Sequence, residues 1–201
     1  MPTHEVTAER PDSLLHATGW DHVTLIGSNA DDTVAFYRDV LGLPLVIRQP
    51  NLDREEVEHL FFDAGDGRLV TFFVDESRDS VETQDPGIGA VHHLAFSIDP
   101  EELPAIRERL LDAGHEVSEY DRGAFHSLYT HDHNGLVIEL AADKFDVPDD
   151  RKGEVLAHAQ AARVAAGDEY IATEHLEVAL EELGLPVERY DLPDAATGRD
   201  F

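Results

Sequence analysis

Asp21-His22-Val23-Thr24-Leu25 returns, altered, as His92-His93-Leu94-Ala95-Phe96. Each string is a short apolar run entered through a histidine. Each leads into a helix-like segment that stops at a glycine, Leu41-Gly42 in the first copy and Ala113-Gly114 in the second. Each then gives strand-like segments joined around a further glycine. His22 and His93 lie 71 residues apart, Gly42 and Gly114 lie 72 apart, and Thr71 and Glu139 lie 68 apart. The pattern is a duplication with a period too long for the common solenoid repeats.

Within the first copy, His22 to Ile26 reads as a strand. Asn29-Ala30-Asp31-Asp32 offers caps for a helix over 32–41, which Gly42 stops with Pro44 just beyond. Pro44 to Arg48 reads as a strand, and Glu58 to Asp63 with Arg68 to Val74 as a hairpin around Gly65-Asp66-Gly67. The second copy repeats the order: a strand from His93 to Ile98, a helix opened by Asp99-Pro100-Glu101-Glu102, a strand from His115 to Tyr120, and a hairpin of Phe125 to Thr130 with Leu136 to Ala141. One helix can cover one face of three or four strands, so a βαβββ unit fits each copy. The predicted class is α+β, with modules over 17–76 and 88–143, a flexible leader over 1–16, and a C-terminal helical extension and tail over 150–201. The extension divides into helical segments near 151–166 and 172–183, and packing against the sheets or a neighbouring subunit is its expected role.

The chain carries 43 Asp and Glu against 15 Lys and Arg, a net charge of −28, and only Lys144 and Lys152 are lysines. The acids are spread through every segment. That distribution suits solvation in concentrated salt, where repulsion is screened, and predicts a halophilic protein. No basic stripe exists to neutralise phosphates, so nucleic acid is excluded as a partner. No apolar run approaches the roughly 20 residues of a membrane span, and the polar, acidic N-terminus resembles neither a secretory signal nor a transit peptide. A soluble, cytoplasmic protein is expected. With no cysteine, any metal must be held by His, Asp or Glu.

Leu136-Val137-Ile138-Glu139-Leu140 sets a carboxylate inside an apolar strand. A buried unpaired carboxylate is costly, and a metal or a cation relieves the cost. His22 and His93 occupy matching positions at the start of each copy. Pairing of the copies about a pseudo-two-fold axis would bring them together with Glu139 as a His2Glu site with open positions. His92 is the rival to His93, and alignment with His22 favours His93. Two imidazoles and one carboxylate suit Fe(II) most, with Mn(II) and Zn(II) also accommodated.

Asp-His-Val-Thr-Leu and His-His-Leu-Ala-Phe opening the two modules, with Asn-Gly-Leu-Val-Ile-Glu-Leu closing the second, resemble the vicinal oxygen chelate superfamily of glyoxalases, bleomycin- and fosfomycin-resistance proteins and extradiol dioxygenases. The resemblance covers residues 17–142. Tyr120-Asp121-Arg122-Gly123-Ala124-Phe125-His126-Ser127-Leu128-Tyr129, followed by Gly135 and Glu139-Leu140-Ala141-Ala142-Asp143, is most similar to the ring-cleaving dioxygenases of catechol and hydroquinone breakdown. The resemblance implies paired modules forming an open, cupped β-barrel, metal ligands at His22, His93 and Glu139, and a homodimer. It implies that Tyr129 bonds a metal-bound substrate oxygen, with His126 nearby as candidate acid–base group. His133 replaces the familiar proline before the last strand, and two modules stand where many ring-cleaving enzymes have four.

The function expected is extradiol cleavage of a catechol or hydroquinone with dioxygen as co-substrate. A metal-dependent glyoxalase or epimerase is the alternative, but such enzymes take a fourth ligand from the first module, where this chain has Thr71. A drug-sequestering protein of the bleomycin-resistance type is a third class, and it generally lacks these ligands.

Overall fold

Asn29 opens the first helix as its sequence position predicts: its side chain accepts from Asp32 N–H at 2.9 Å. That helix, α1 (Ala30–Val34), runs directly into a π-helical turn (Ala35–Val40) and ends before Gly42, whose φ is +78°. It follows β1 (His22–Gly27) and precedes β2 (Leu45–Pro50), β3 (Glu58–Asp63) and β4 (Leu69–Val74). The second module repeats the series as β5 (His93–Ser97), α2 (Leu103–Asp112) behind a 3-10 turn, β6 (Ser118–Asp121), β7 (Phe125–His131) and β8 (Val137–Asp143). This computed structural model describes residues 6–65, 67–82 and 84–195. Residues 1–5 of the expected leader, Asp66 in the expected hairpin turn and residues 196–201 of the expected tail lie outside them. Residues 6–16 carry no helix or strand.

Each module is a four-stranded sheet, ordered β1-β4-β3-β2 and β5-β8-β7-β6. β1 runs parallel to β4, while β4–β3 and β3–β2 are antiparallel, so the sheet is mixed and open rather than a closed barrel. The twofold alternation of strand side chains divides its faces. Leu60 and Phe62 of β3 and Val70, Phe72 and Val74 of β4 are buried together with Tyr37. The Tyr37 ring lies 4.6 Å from that of Phe72 and 5.6 Å from that of Phe62. Its hydroxyl donates to Asp132 Oδ2 at 3.0 Å, which satisfies a phenol in an otherwise apolar core. Burial, and then the Asp132 carboxylate, push the Tyr37 phenol well above its ordinary range.

By contact the chain divides into two compact units. One comprises Leu14–Phe96 with Thr130–Glu139, and so contains His22, His93 and Glu139. The other comprises the chain up to Ser13, Ser97–Tyr129 and the chain from Leu140 onward, and contains His126 and Tyr129.

The second unit also holds the C-terminal helices α3 (Lys152–Ala166) and α4 (Thr173–Glu182), close to their predicted bounds. Their core is Val155, Ala159, Leu176, Ala179 and Leu180 against Phe145. His175 accepts from Ala172 N–H at 2.9 Å through Nδ1, so its Nε2–H donates to Asp168 Oδ2 at 2.9 Å and ties the start of α4. Both lysines of the chain lie in this unit. Lys144, 4% exposed, reaches Asp121 at 2.6 Å and Thr173 at 3.1 Å; Lys152 reaches Asp143 at 2.8 Å. Gly123, at φ +79°, lets the backbone of Ile171 approach so closely that a Cβ would stand 2.1 Å from its carbonyl oxygen. Among the described residues no helix is long and apolar enough to cross a membrane.

Candidate metal centre

Alternation along β1 leaves His22, Thr24 and Ile26 on the exposed face, with Val23 and Leu25 turned toward the helix. β5 does the same with His93, Ala95 and Ser97 exposed and Leu94 and Phe96 half-buried. Glu139, on β8, is 8% exposed and has fully buried Ile138 as its chain neighbour on the opposite face. Its Oε2 lies 3.0 Å from His93 Nε2. A buried carboxylate against an imidazole nitrogen is a donor pair that a divalent cation would share.

His22 does not join that pair. Among the described residues no cluster of three His, Asp or Glu is arranged to hold a metal. The predicted trio is therefore present as a pair, His93 with Glu139, and a separate imidazole. Asp21 accepts from His22 Nδ1 at 2.7 Å, which fixes the proton there and leaves Nε2 bare. At the corresponding place in the second module, His92 Nδ1 lies 2.9 Å from His93 Nδ1, the rings nearly perpendicular at 86°. His92 precedes the strand rather than lying in it, so it sits beside His93 instead of on the opposite face.

The first module's counterpart of Glu139 is Thr71. It is fully buried, and its hydroxyl donates to Thr24 Oγ1 at 2.8 Å, directly across the β1–β4 register. A hydroxyl pair thus occupies the corner where a fourth ligand would stand. On the same face, His59 lies with its ring 4.0 Å from Phe61 and 4.5 Å from Phe73. Its Nε2 is shielded and has no hydrogen-bond partner among the described residues. Burial, and then His22, push this imidazole below its ordinary range. The sequence signal for His59 is its place in the run His59-Leu60-Phe61-Phe62, opposite in phase to buried Leu60 and Phe62.

In the other unit, Tyr129 is buried, and its hydroxyl accepts from Arg122 Nε at 3.1 Å. The Arg122 guanidinium also lies over the Tyr120 and Tyr129 rings, 4.6 and 5.1 Å from their centroids. His126, expected beside Tyr129, is 2% exposed and bonds Glu119 Oε1 at 2.8 Å. Glu119 in turn reaches Arg107 of α2 at 3.2 Å. Alternation along β7 puts His126 with Leu128 and sets Tyr129 on the opposite face. The structure therefore does not bring the two residues together, and His126 is engaged in a buried link to the helix.

The loop before β8 holds His133, where a proline was the expected residue. Asn134 Oδ1 accepts from Ser28 N–H at 3.2 Å and from the Ser28 hydroxyl at 2.7 Å. Its amide nitrogen must then face His133 Nε2, at 2.8 Å. Nε2 also lies 3.1 Å from Thr33 Oγ1, whose proton goes to Asn29 O at 2.6 Å, and Nδ1 is buried without a hydrogen-bond partner among the described residues.

The family model of the Glyoxalase/Bleomycin resistance protein/Dioxygenase superfamily matches residues 19–140. "Putative ring-cleaving dioxygenase MhqA" of Bacillus subtilis (strain 168) is 28% identical over 145 residues, 65% of this chain and 42% of that protein. The chain thus spans less than half the length of this curated relative. A solved structure described as a putative dioxygenase from Bacillus subtilis superposes with a TM-score of 0.54 at 24% identity, covering 64% of this chain and 42% of that one. A glyoxalase/dioxygenase from Nostoc punctiforme gives 0.52 at 18%, covering 67% and 99%. The fosfomycin resistance protein FosX of Listeria monocytogenes gives 0.50 at 23%, covering 64% and 95%. These structural likenesses carry the fold.

Proposed function

The chain belongs to the Glyoxalase/Bleomycin resistance protein/Dioxygenase superfamily, and on that premise we propose that it is a metal-dependent, extradiol-type ring-cleaving dioxygenase acting on a catechol or hydroquinone. The observation that carries the reading is the buried Glu139 carboxylate 3.0 Å from His93 Nε2. In this reading His93, Glu139 and His22 hold Fe(II), and the same donors accept Mn(II) or Zn(II). When bound, Fe(II) supplies Lewis acidity toward vicinal substrate oxygens and a route for electrons between substrate and dioxygen. Glu139 and the two imidazoles are the residues that would hold it. Tyr129, with its hydroxyl held by Arg122, is the proposed hydrogen-bond partner of a substrate oxygen. His126 bonds Glu119 Oε1, and loss of activity in His126→Gln would test the acid–base role expected of it. The hydroxyl pair Thr71–Thr24 argues against a four-ligand glyoxalase or epimerase.

His22 stands apart from the pair, and β1 and β5 are edge strands of separate sheets. The proposal therefore includes a homodimer in which a second copy contributes His22. Metal analysis of purified protein comes first. Oxygen uptake with catechols or hydroquinones is expected after Fe(II) loading, and Glu139→Ala should abolish it. Mixing His22→Ala with Glu139→Ala chains should restore uptake that neither has alone, because one site of the mixed dimer keeps all three ligands. Metal-loaded protein inert toward a broad panel of phenols would sink the dioxygenase reading.

A further inference from the structure

We propose that the hollow at the end of β1, walled by the 51–57 and 75–78 loops, is a binding site for a free α-amino acid with an apolar side chain. The hollow measures about 510 Å³, within the range of small-molecule sites. Its floor is apolar. Ile26 of β1 and Phe73 of β4 are register partners, and buried Val57 closes the side. Ile26 is 52% exposed, so an apolar side chain seated there would take its surface out of water. All of these residues belong to the unit that comprises Leu14–Phe96 with Thr130–Glu139. Ile26 lies four residues beyond His22 on β1, about 13 Å along the strand, and the inference is independent of the metal-site reading.

Both loops are fastened by buried polar residues whose hydrogen bonds are spent within the walls. Asn51 Oδ1 accepts from Asp53 N–H at 2.8 Å and from Arg54 N–H at 3.1 Å, while Asn51 N–H donates to the Val57 carbonyl at 2.8 Å. Asp75 Oδ1 accepts from Ser77 N–H at 3.1 Å and from the Ser77 hydroxyl at 2.6 Å, while Asp75 N–H donates to the Gly27 carbonyl at 2.9 Å. Arg78 N–H donates to the Asp75 carbonyl at 3.0 Å. Asp53 and Arg54 are thus held on one wall and Arg78 on the other before any ligand arrives, which lowers the ordering cost of binding.

The charges on those walls select the ligand. Arg54 is already committed, its Nε to Glu56 at 2.9 Å and its Nη2 to Asp75 Oδ2 at 3.2 Å. Arg78 and Asp53 are not. Arg78 Nε stays 3.6 Å from Asp75 Oδ2, beyond hydrogen-bond reach, and the Asp53 carboxylate makes no hydrogen bond or ion pair among the described residues. A guanidinium so placed takes a carboxylate through its N–H donors, and a carboxylate so placed takes an ammonium. In the lining, Arg54 and Arg78 balance Asp53 and Asp75, so neither a plain anion nor a plain cation is favoured. A zwitterion brings both charges and no net charge. The apolar floor adds the demand for a hydrocarbon side chain, and the three features together describe an apolar amino acid.

The test is calorimetric titration of the full, metal-free chain with L-leucine and L-phenylalanine. Saturable binding is expected, with glycine about 10–100-fold weaker for want of a side chain. Arg78→Gln and Asp53→Asn should each weaken L-phenylalanine by about 10–100-fold. Neither side chain hydrogen-bonds within the fold, so both variants should keep the wild-type denaturation midpoint. 3-Phenylpropionate, which lacks the ammonium, and phenethylamine, which lacks the carboxylate, should lose affinity to a similar extent. Amide ¹H–¹⁵N shifts on adding L-phenylalanine should move at Ile26, Val57 and Phe73. No saturable binding of either amino acid, unchanged affinity in either variant, or 3-phenylpropionate binding as tightly as L-phenylalanine would each overturn the proposal. None of these results touches oxygen uptake, so failure here leaves the dioxygenase reading standing.

Discussion

Ser28 N–H orients the side chain of Asn134, more than a hundred residues away. The amide nitrogen so placed stands 2.8 Å from His133 Nε2. Burial pushes His133 below its ordinary value of 6.5, outweighing the opposite pull of Asp132 and Asp32. A depressed folded-state pKa means that the unfolded chain takes up the proton first as pH falls. The contribution of neutral His133 is therefore complete above about pH 6.5 and declines below it, toward the lower folded-state pKa. Urea midpoints between pH 8 and 5 should fall less steeply for His133→Gln than for the wild type, and parallel slopes would refute this account. At this scale the sequence was legible where chemistry alone decides. Glu139 inside an apolar strand announced a buried charge, and His93 announced its partner. The face taken by His126 was not legible, because a one-residue change in strand phase moves a side chain to the opposite side of a sheet.

The strands and helices lie within a few residues of their predicted positions, because caps, glycines and twofold alternation are local signals. Asn29, Gly42, Asp99 and Gly114 mark helix ends in both sequence and structure. The π-helical turn after Val34 left no such mark, since its apolar spacing resembles that of an α-helix. Offsets between repeats identified His22 and His93 as counterparts, but correspondence in a repeat does not supply a distance, and the separation of His22 from the pair was invisible. The seating of the C-terminal helices was equally hidden. It depends on Gly123, which has both a positive φ and the Ile171 carbonyl where a side chain would go. Gly123→Ala should destabilise the protein by about 2–4 kcal/mol, combining the cost of a left-handed conformation with overpacking against backbone. Chemical denaturation measures this directly, and a loss below about 1 kcal/mol would mean that the Ile171 segment simply moves away.

Across the whole molecule the net charge of −28 outweighs any single ion pair. Exposed pairs such as Arg48–Glu58 and Arg38–Asp39 offset few of the acids. Screening should therefore stabilise the fold: Tm should rise from dilute buffer to molar salt, and a flat profile would refute a halophilic character. Composition made this tendency legible from the start, whereas the division into two units depends on contacts far apart in the chain. The scarcity of lysine has a consequence for reactivity. Lys144 is enclosed by Asp121 and Thr173, while Lys152 is partly open beside Asp143. The side chains thus present two amines of very unequal accessibility to an acylating reagent. Acylation of Lys152 would report ordinary solvent access, and acylation of Lys144 would record how often the C-terminal helices lift from the second module.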